Sequence, residues 1–492
     1  MNIVEQILQQ CEKMGSEPAL SLGGVGSDTV SYSRLQTYLD GVCGVLHRAG
    51  VKPGFLCGLF LENNLFNIVA SLALNRLGAV PVAFNSLAAL GTVECGAIIT
   101  DLNLPPQNCP VWRMDEAWLL DEPYRPDPRS VQGSDICRIG FTSGSTGAPK
   151  AVAVTYDKLV ANIAQQDASR GLEFAHAKRR LGYIGISTVY GYLNTVRTLS
   201  EGGLFCFRDP EMAREARRIA MYGVQVLIAS PGQLTLFARF GRLNPGAFAA
   251  LQLVTTGGSP LPAALAARVQ EFVCPKLIYS YGSSETGVVA AAPVERLDLE
   301  KGEIGFVNSG LEVSIVDPTT RLPIISGKGH LRIRGPGVIR SYYGQDPAED
   351  PHFDGDWFCP GDIAALSPDG LLTMSGREDG VVNIGGVKST AEAIEAMLHA
   401  GPGVAGVAVT FAPDRFGLTR VQALVVPGEK WSEAAFANYC NRSVTSNFRP
   451  VRVVMAHTIP LGPSGKIDRQ AVEALMKGPM LATNTPAIET NA

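Results

Sequence analysis

Phe141-Thr142-Ser143-Gly144-Ser145-Thr146-Gly147-Ala148-Pro149-Lys150 is the stretch on which the reading of this chain turns. Two glycines, four hydroxyl side chains and a lysine fall within ten residues, after a short apolar run and before Ala151-Val152-Ala153-Val154. Glycines let backbone N–H groups approach phosphate oxygens, and the hydroxyls and the lysine add donors. This is not a Walker A loop: there is no G-x-x-x-x-G-K-[ST], Pro149 precedes Lys150, and no helix start follows the lysine. A solvated Ser/Gly linker is the plain alternative, but linkers rarely sit between two apolar runs.

Outward from this loop, the chain up to about residue 300 alternates strand-like and helix-like stretches. Leu56 to Leu61 and Gly78 to Phe84 are short apolar runs, and Asn67 to Leu77 between them has helical spacing. Gln225 to Ala229, Leu251 to Thr256 and Lys276 to Tyr281 read as strands that end in Gly/Ser/Thr/Pro turns. Strands alternating with helices imply βαβ units and a mainly parallel sheet. Ligands of such sheets sit at the C-terminal ends of the strands. From about Gly302 to Gly376 short β-rich runs separated by Pro/Gly turns predict a small antiparallel or barrel-like subdomain. Beyond Gly376-Arg377-Glu378-Asp379-Gly380, a helix over Thr390–His399 and strands over Val404–Phe411 and Arg420–Pro427 predict a compact α+β module. The expected fold is therefore α/β. A large N-terminal domain (1–378) has parallel-rich sheets flanked by helices and includes the β-rich subdomain at about 302–376. A small α+β C-terminal domain (379–477) and a frayed tail (478–492) follow.

Composition narrows the function. At 492 residues the chain is long enough for two or more domains. Hydrophobic residues make up 46% and charged ones 18%, which excludes a largely disordered protein. The net charge of −4 argues against a nucleic-acid partner, which wants a basic excess. Phe66 to Phe84 is the most apolar region, but Asn75, Arg76, Gly78 and Pro81 interrupt it, short of the roughly 20 residues a membrane span needs. The first residues carry no basic, then apolar, leader and read instead as an amphipathic helix. The ten cysteines are scattered without a C-x-x-C pair, which suggests buried free thiols and a cytoplasmic setting. No G-x-G-x-x-G follows a strand, so a dinucleotide-binding dehydrogenase is not supported.

The loop at 141–150 resembles the phosphate loop of the adenylate-forming superfamily: acyl- and aryl-CoA synthetases, adenylation domains of nonribosomal peptide synthetases, and luciferases. The resemblance recurs in order along residues 141–468. Gly257-Gly258-Ser259-Pro260-Leu261 is similar to the family's adenine-contacting turn. Tyr281-Gly282-Ser283-Ser284-Glu285-Thr286 resembles its Tyr-Gly-x-Thr-Glu motif, with Ser284 in place of threonine. Trp357-Phe358-Cys359-Pro360-Gly361-Asp362 resembles its Trp…Thr-Gly-Asp motif, with Pro360 in place of threonine. Gly376-Arg377-Glu378-Asp379 is similar to the hinge, and Pro463-Ser464-Gly465-Lys466-Ile467-Asp468 to the C-terminal lysine motif.

The resemblance implies roles. ATP would be held by Thr142, Ser143, Gly144, Ser145, Thr146, Gly147 and Lys150. Gly258, Ser259, Tyr281, Gly282, Ser283, Ser284, Asp362 and Arg377 would complete the nucleotide site, with Asp362 on the ribose hydroxyls. Glu285 and Thr146 would hold Mg2+ and act in catalysis. Lys466 would be the catalytic cation between the incoming carboxylate and the α-phosphate, where positive charge lowers the barrier. Asp379 would be the hinge of a mobile C-terminal domain, and Gly385-Gly386 would line a tunnel for a pantetheine thiol, or simply form a tight turn. The implied activity makes an acyl-adenylate from a small-molecule carboxylic acid and ATP, then a thioester with coenzyme A or with the phosphopantetheine of an acyl carrier protein. A catalytically silent nucleotide- or acyl-binding relative is the rival reading.

The acid pocket, expected at Ile186, Thr188, Tyr190, Gly191 and Gly257, departs from the family. Thr188 stands where many relatives carry the histidine of an aromatic gate. Gly182 to Thr195 contains no Asp or Glu to pair a substrate ammonium, which argues against an α-amino acid and favours an aryl or fatty acid. Arg197 is weighed as a partner for a second carboxylate, against a structural role. Ala391 and Ala393 stand where relatives usually have proline and glutamate. No insertion of the kind found in fatty acyl-AMP ligases separates Glu285 from Gly302-Glu303-Ile304-Gly305. No carrier module follows Lys466, which tilts the expectation slightly towards free coenzyme A.

Overall fold

The computed structural model describes residues 3–24, 29–127, 130–142, 149–377, 380–428, 430–460 and 467–477. The chain divides into two compact units. One is built from the chain up to Gly376; the other comprises Arg377 onward together with Ser259–Leu265.

The first unit contains two sheets. In one, five strands run parallel in the order Val111–Arg113, Ala97–Thr100, Leu56–Phe60, Val80–Ala83 and Ile136–Thr142. Lys150–Thr155 closes it antiparallel to the last, with Thr142 opposite Lys150. The phosphate-loop stretch is thus the connection of an antiparallel pair. The apolar region Phe66–Phe84 is a buried helix, Asn64–Arg76, followed by a turn and the strand Val80–Ala83. Asn63 caps the helix by accepting the N–H groups of Leu65 and Phe66, satisfying donors that a helix start leaves free. Among the described residues no helix is long and apolar enough to cross a membrane.

The other sheet is mixed. Its parallel part runs Leu277–Ser283, Leu253–Gly257, Val226–Ile228, Arg179–Gly182, Leu204–Phe207 and Pro18–Ser21. Gly287–Pro293 then turns back antiparallel to Leu277–Ser283, so the tight turn between them lies at the C-terminal edge of the parallel strands. The β-rich stretch beyond Gly302 continues the same strand order through Glu303–Val307, Leu371–Arg377, Asp362–Leu366, Gly329–Arg334 and Trp357–Phe358. The long helical segment Tyr156–His176, kinked at Gly171 where φ is +78°, packs against Gly287–Pro293.

In the second unit, Val404–Pro413, Thr419–Pro427 and Arg452–Met455 form a three-stranded sheet. The helices Ala391–His399, capped by Thr390, and Glu433–Ser443 cover a core that includes Ile394, Leu398, Val409, Val421 and Phe436. Gly385 and Gly386 form the two-residue turn of a hairpin, Val382–Ile384 with Val387–Ser389, at φ +59° and +88°. Positive φ at both central residues matches the twist of a hairpin and favours glycine. All ten cysteines are free, and eight are buried.

Candidate active site

The turn after Leu277–Ser283 is where the predicted metal carboxylate lies. The Ser283 N–H donates to Thr286 Oγ1 at 3.1 Å, which tightens the turn around Glu285. Glu285 is 7% exposed, and its Oε1 accepts the Tyr342 hydroxyl at 3.1 Å. Its second carboxylate oxygen has no donor among the described residues. A single carboxylate with one oxygen uncommitted fits Mg2+, which typically takes one or two carboxylates and draws its other ligands from phosphates and water.

Beneath the turn sits Lys158, a residue the sequence reading passed over. Its ammonium donates to the Glu285 carbonyl at 2.8 Å and also to the Gly337 carbonyl. It therefore ties the turn to the segment from Gly337 to Ile339, where the Ile339 N–H also donates to the Glu285 carbonyl at 2.9 Å. Burial pushes the Lys158 ammonium down to about 7, against the pull of the Glu285 carboxylate.

Lys150 stands at the end of its strand, and its partners are internal. Its Nζ is 2.9 Å from Asp350 Oδ2 and 3.1 Å from His352 Nδ1, and lies 4.6 Å from the centre of the Tyr342 ring. Burial raises the Asp350 carboxyl, but the His352 N–H and the Lys150 ammonium outweigh it and hold it below the ordinary carboxylate range. Tyr342 thus touches both the Lys150 cluster and Glu285. Thr142 is half-buried at the end of its strand. Ser143, Gly144, Ser145, Thr146 and Gly147 lie outside the described residues, as do Asp379 and Lys466.

Of the remaining nucleotide residues, the structure brings Tyr281 and Asp362 together, the phenol donating to the carboxylate at 2.5 Å. Gly282 faces Gly287 across the turn so closely that a Cβ there would meet the Gly287 carbonyl oxygen at 2.0 Å. Ser283 and Ser284 are half-buried in the same turn. Gly258 directly follows the neighbouring strand Leu253–Gly257, at φ +81°. Ser259 and Arg377 fall in the second unit.

In the expected acid pocket, Thr188 is a helix cap. It opens Val189–Ser200, its hydroxyl accepting the Gly191 N–H at 3.0 Å and donating to the Gly185 carbonyl at 2.8 Å. Gly191 is needed there because a Cβ would lie 2.2 Å from the Gly185 carbonyl oxygen. Ile186 is buried, and its carbonyl accepts from Arg138 at 2.9 Å. Tyr190 is half-buried against the cluster of Phe174, Ile228 and Ile278. Arg197 is held by Asp167 and Glu201, which makes it structural. The arginine beside Tyr190 is Arg170, on Tyr156–His176, another residue the sequence reading missed.

Comparison with known proteins places this geometry. The model of the family described as AMP-binding enzyme matches residues 7–343. The chain belongs to that family. This AMP-binding enzyme is 25% identical to 4-coumarate-CoA ligase 1 of Narcissus pseudonarcissus, over 95% of this chain and 92% of that one. It is 26% identical to surfactin synthase subunit 1 of Bacillus subtilis, over 96% of this chain but only 14% of that longer protein. A variant of o-succinylbenzoate CoA synthetase from Bacillus subtilis shares its fold, with a TM-score of 0.77 at 20% identity over 95% of this chain and 98% of that one. The protein is accordingly an acid-activating, AMP-forming ligase of the adenylate-forming superfamily that uses ATP.

Proposed function

We propose that this AMP-binding enzyme activates an aryl or fatty carboxylic acid and transfers it to coenzyme A. A carboxylate oxygen of the acid attacks the α-phosphorus of ATP, the bond to the β-phosphate oxygen breaks, and pyrophosphate leaves. A thiolate then attacks the acyl carbon of the adenylate, and AMP departs. The acid class is supported by the absence of Asp and Glu from Gly182–Thr195, which leaves no counter-ion there for an ammonium. The coenzyme A acceptor is supported by the relative named as a coenzyme A ligase, which this chain matches over 92% of its length. The alternative acceptor is the phosphopantetheine of a separate acyl carrier protein.

The observation that carries this reading is the buried Glu285, with one oxygen uncommitted among the described residues, in the turn that follows Tyr281, itself paired with Asp362. Glu285, with Thr146, would hold Mg2+, which when bound offsets negative charge on the phosphates. Asp362 takes the ribose hydroxyls, with Gly258, Ser259, Tyr281 to Ser284 and Arg377 around the nucleotide. Lys150 keeps the base of the phosphate loop tied to Asp350, and any phosphate contact it makes competes with that pair. Lys466 supplies positive charge where the carboxylate meets the α-phosphate. Residues 379–477 act as a mobile domain turning at Asp379.

The test is carboxylate-dependent ATP–pyrophosphate exchange over aryl, short, medium and long acids and amino acids, with Lys466→Ala beside the wild type. Exchange with an aryl or fatty acid, lost in the variant, is the expected result. ATP binding without exchange for any acid would make the protein a silent binder. Thioester formation with free coenzyme A against a phosphopantetheinyl carrier then decides the acceptor.

A further inference from the structure

Five arginines are buried among the described residues: Arg138, Arg170, Arg180, Arg197 and Arg218. Three of them face carboxylates: Arg180 pairs with Glu201, Arg197 with Asp167 and Glu201, and Arg218 with Glu215. Arg138 has no carboxylate, but both its terminal nitrogens are well used, at 2.8 Å to Ser71 Oγ and 2.9 Å to the Ile186 carbonyl. Arg170 differs. No carboxylate of the described residues reaches it. Its Nη1 donates to Gln166 Oε1 at 2.8 Å and its Nη2 only grazes Ser280 Oγ at 3.4 Å; its Nε, like that of Arg138, Arg180 and Arg218, has no partner among the described residues. The rings of Phe174 and Tyr190 supply the rest of its surroundings, at 4.8 and 5.6 Å.

Burying a guanidinium without a counter-ion is expensive unless neutral acceptors hold its nitrogens, as they do for Arg138; the weakly held Nη2 of Arg170 leaves it able to take an anion. The position of Arg170 says where that anion comes from. Tyr190 and Gly257 belong to the expected acid pocket, and Arg170 lies against the first and beside the neighbour of the second. Ser280 pairs with Gly257 in parallel register, and a Cβ at Gly257 would meet the Ser280 carbonyl oxygen at 2.4 Å. Alternation along the strand puts Thr255 on the same face as Gly257, Ile278 and Ser280, and Thr255 buries its hydroxyl with no partner among the described residues. A buried cation and a buried hydroxyl, both under-used among the described residues, thus lie close to residues of the expected acid pocket.

We infer that Arg170 is the specificity-determining residue of the acid pocket, and that the substrate is a dicarboxylic acid whose distal carboxylate pairs with it. The inference rests on the proposed acid activation. A carboxylate matches the planar fork of an arginine, which can give it two parallel hydrogen bonds. Apolar walls from Phe174, Ile228 and Tyr190 suit the carbon skeleton between the two acid groups.

The experiment is pyrophosphate exchange with terephthalate and suberate, their monomethyl esters, benzoate and octanoate. The ester keeps the reacting carboxylate and the length but removes the distal charge. The wild type is expected to prefer a diacid to its own monoester by about 100-fold in kcat/KM, because a buried polar group left unpaired discriminates strongly. Arg170→Met is expected to lose that factor for the diacid while its rate with the monoester stays within about threefold, and Arg170→Lys is expected to keep the order of preference. A structural arginine would instead lower all acids together, which overturns the inference. So would a wild type that uses monoester and diacid alike; that comparison decides the matter even if Arg170→Met fails to fold. Exchange with neutral acids alone defeats this inference and leaves acid activation standing. No exchange with any acid defeats both.

Discussion

At the scale of residues, the least replaceable side chain near Glu285 is Lys158. Lys158→Met leaves the Gly337 carbonyl without a donor among the described residues, while the Glu285 carbonyl keeps the Ile339 N–H. The expected loss is on the order of 1 kcal/mol in urea unfolding, the low end of the penalty for an unsatisfied acceptor, because Gly337 is half-buried. An unchanged midpoint would mean that water reaches the carbonyl. None of this was legible in the sequence. Lys158, Asn162, Gln165, Gln166 and Arg170 recur at helical spacing, the pattern a solvated face also has, yet all five are buried. The partners of Lys150 and Glu285 are 200 and 57 positions away, at Asp350 and Tyr342, and spacing along a chain carries no information about such pairs.

At the scale of elements, turns were readable and their neighbours were not. The Gly/Ser/Thr stretches ending Leu253–Gly257 and Leu277–Ser283 mark the C-terminal edge of the parallel strands because glycine and small hydroxyl residues are what tight turns there require. Thr188 shows the opposite case. A residue facing a missing histidine suggests a changed gate, whereas the hydroxyl is spent on capping Val189–Ser200. Thr188→Val is therefore expected to cost about 0.5–2 kcal/mol, the range for a lost cap, and Thr188→Ser to cost little. The ranking of acids in the exchange assay is expected to stay the same in both. A reordered ranking would show that the side chain meets the substrate after all.

At the scale of the whole molecule, each unit has its own apolar core, so stability is a property of two bodies. Leu398 is fully buried in the core of the second unit, and Leu398→Ala is expected to cost about 2–5 kcal/mol there. Trp431, whose ring lies tilted against Phe436 with centres 5.1 Å apart, reports on that core, while Trp112, Trp118 and Trp357 belong to the first unit. In urea the Trp431 signal should shift to lower concentration while the signal of the others holds, as multidomain chains depart from two-state behaviour. A common shift of all signals would mean that the units unfold as one. The order of motifs made the two-part division readable, since a β-rich texture gives way near Gly376 to a new helix and strand pattern. The continuation of one sheet from the parallel strands into the β-rich stretch was not readable, because edge pairing between distant strands leaves no local pattern.

The polar stripe of Tyr156–His176 has a consequence for how such an enzyme can change. Lys158 and Arg170 are twelve positions apart, about 18 Å along a helix, with one end serving the turn of Glu285 and the other lying beside Tyr190. Inheritance can therefore rewrite the far end of this helix, and with it the diet of the enzyme, without disturbing the reaction it performs. A laboratory wishing to retune the choice of acid should begin at Arg170 and leave Lys158 alone.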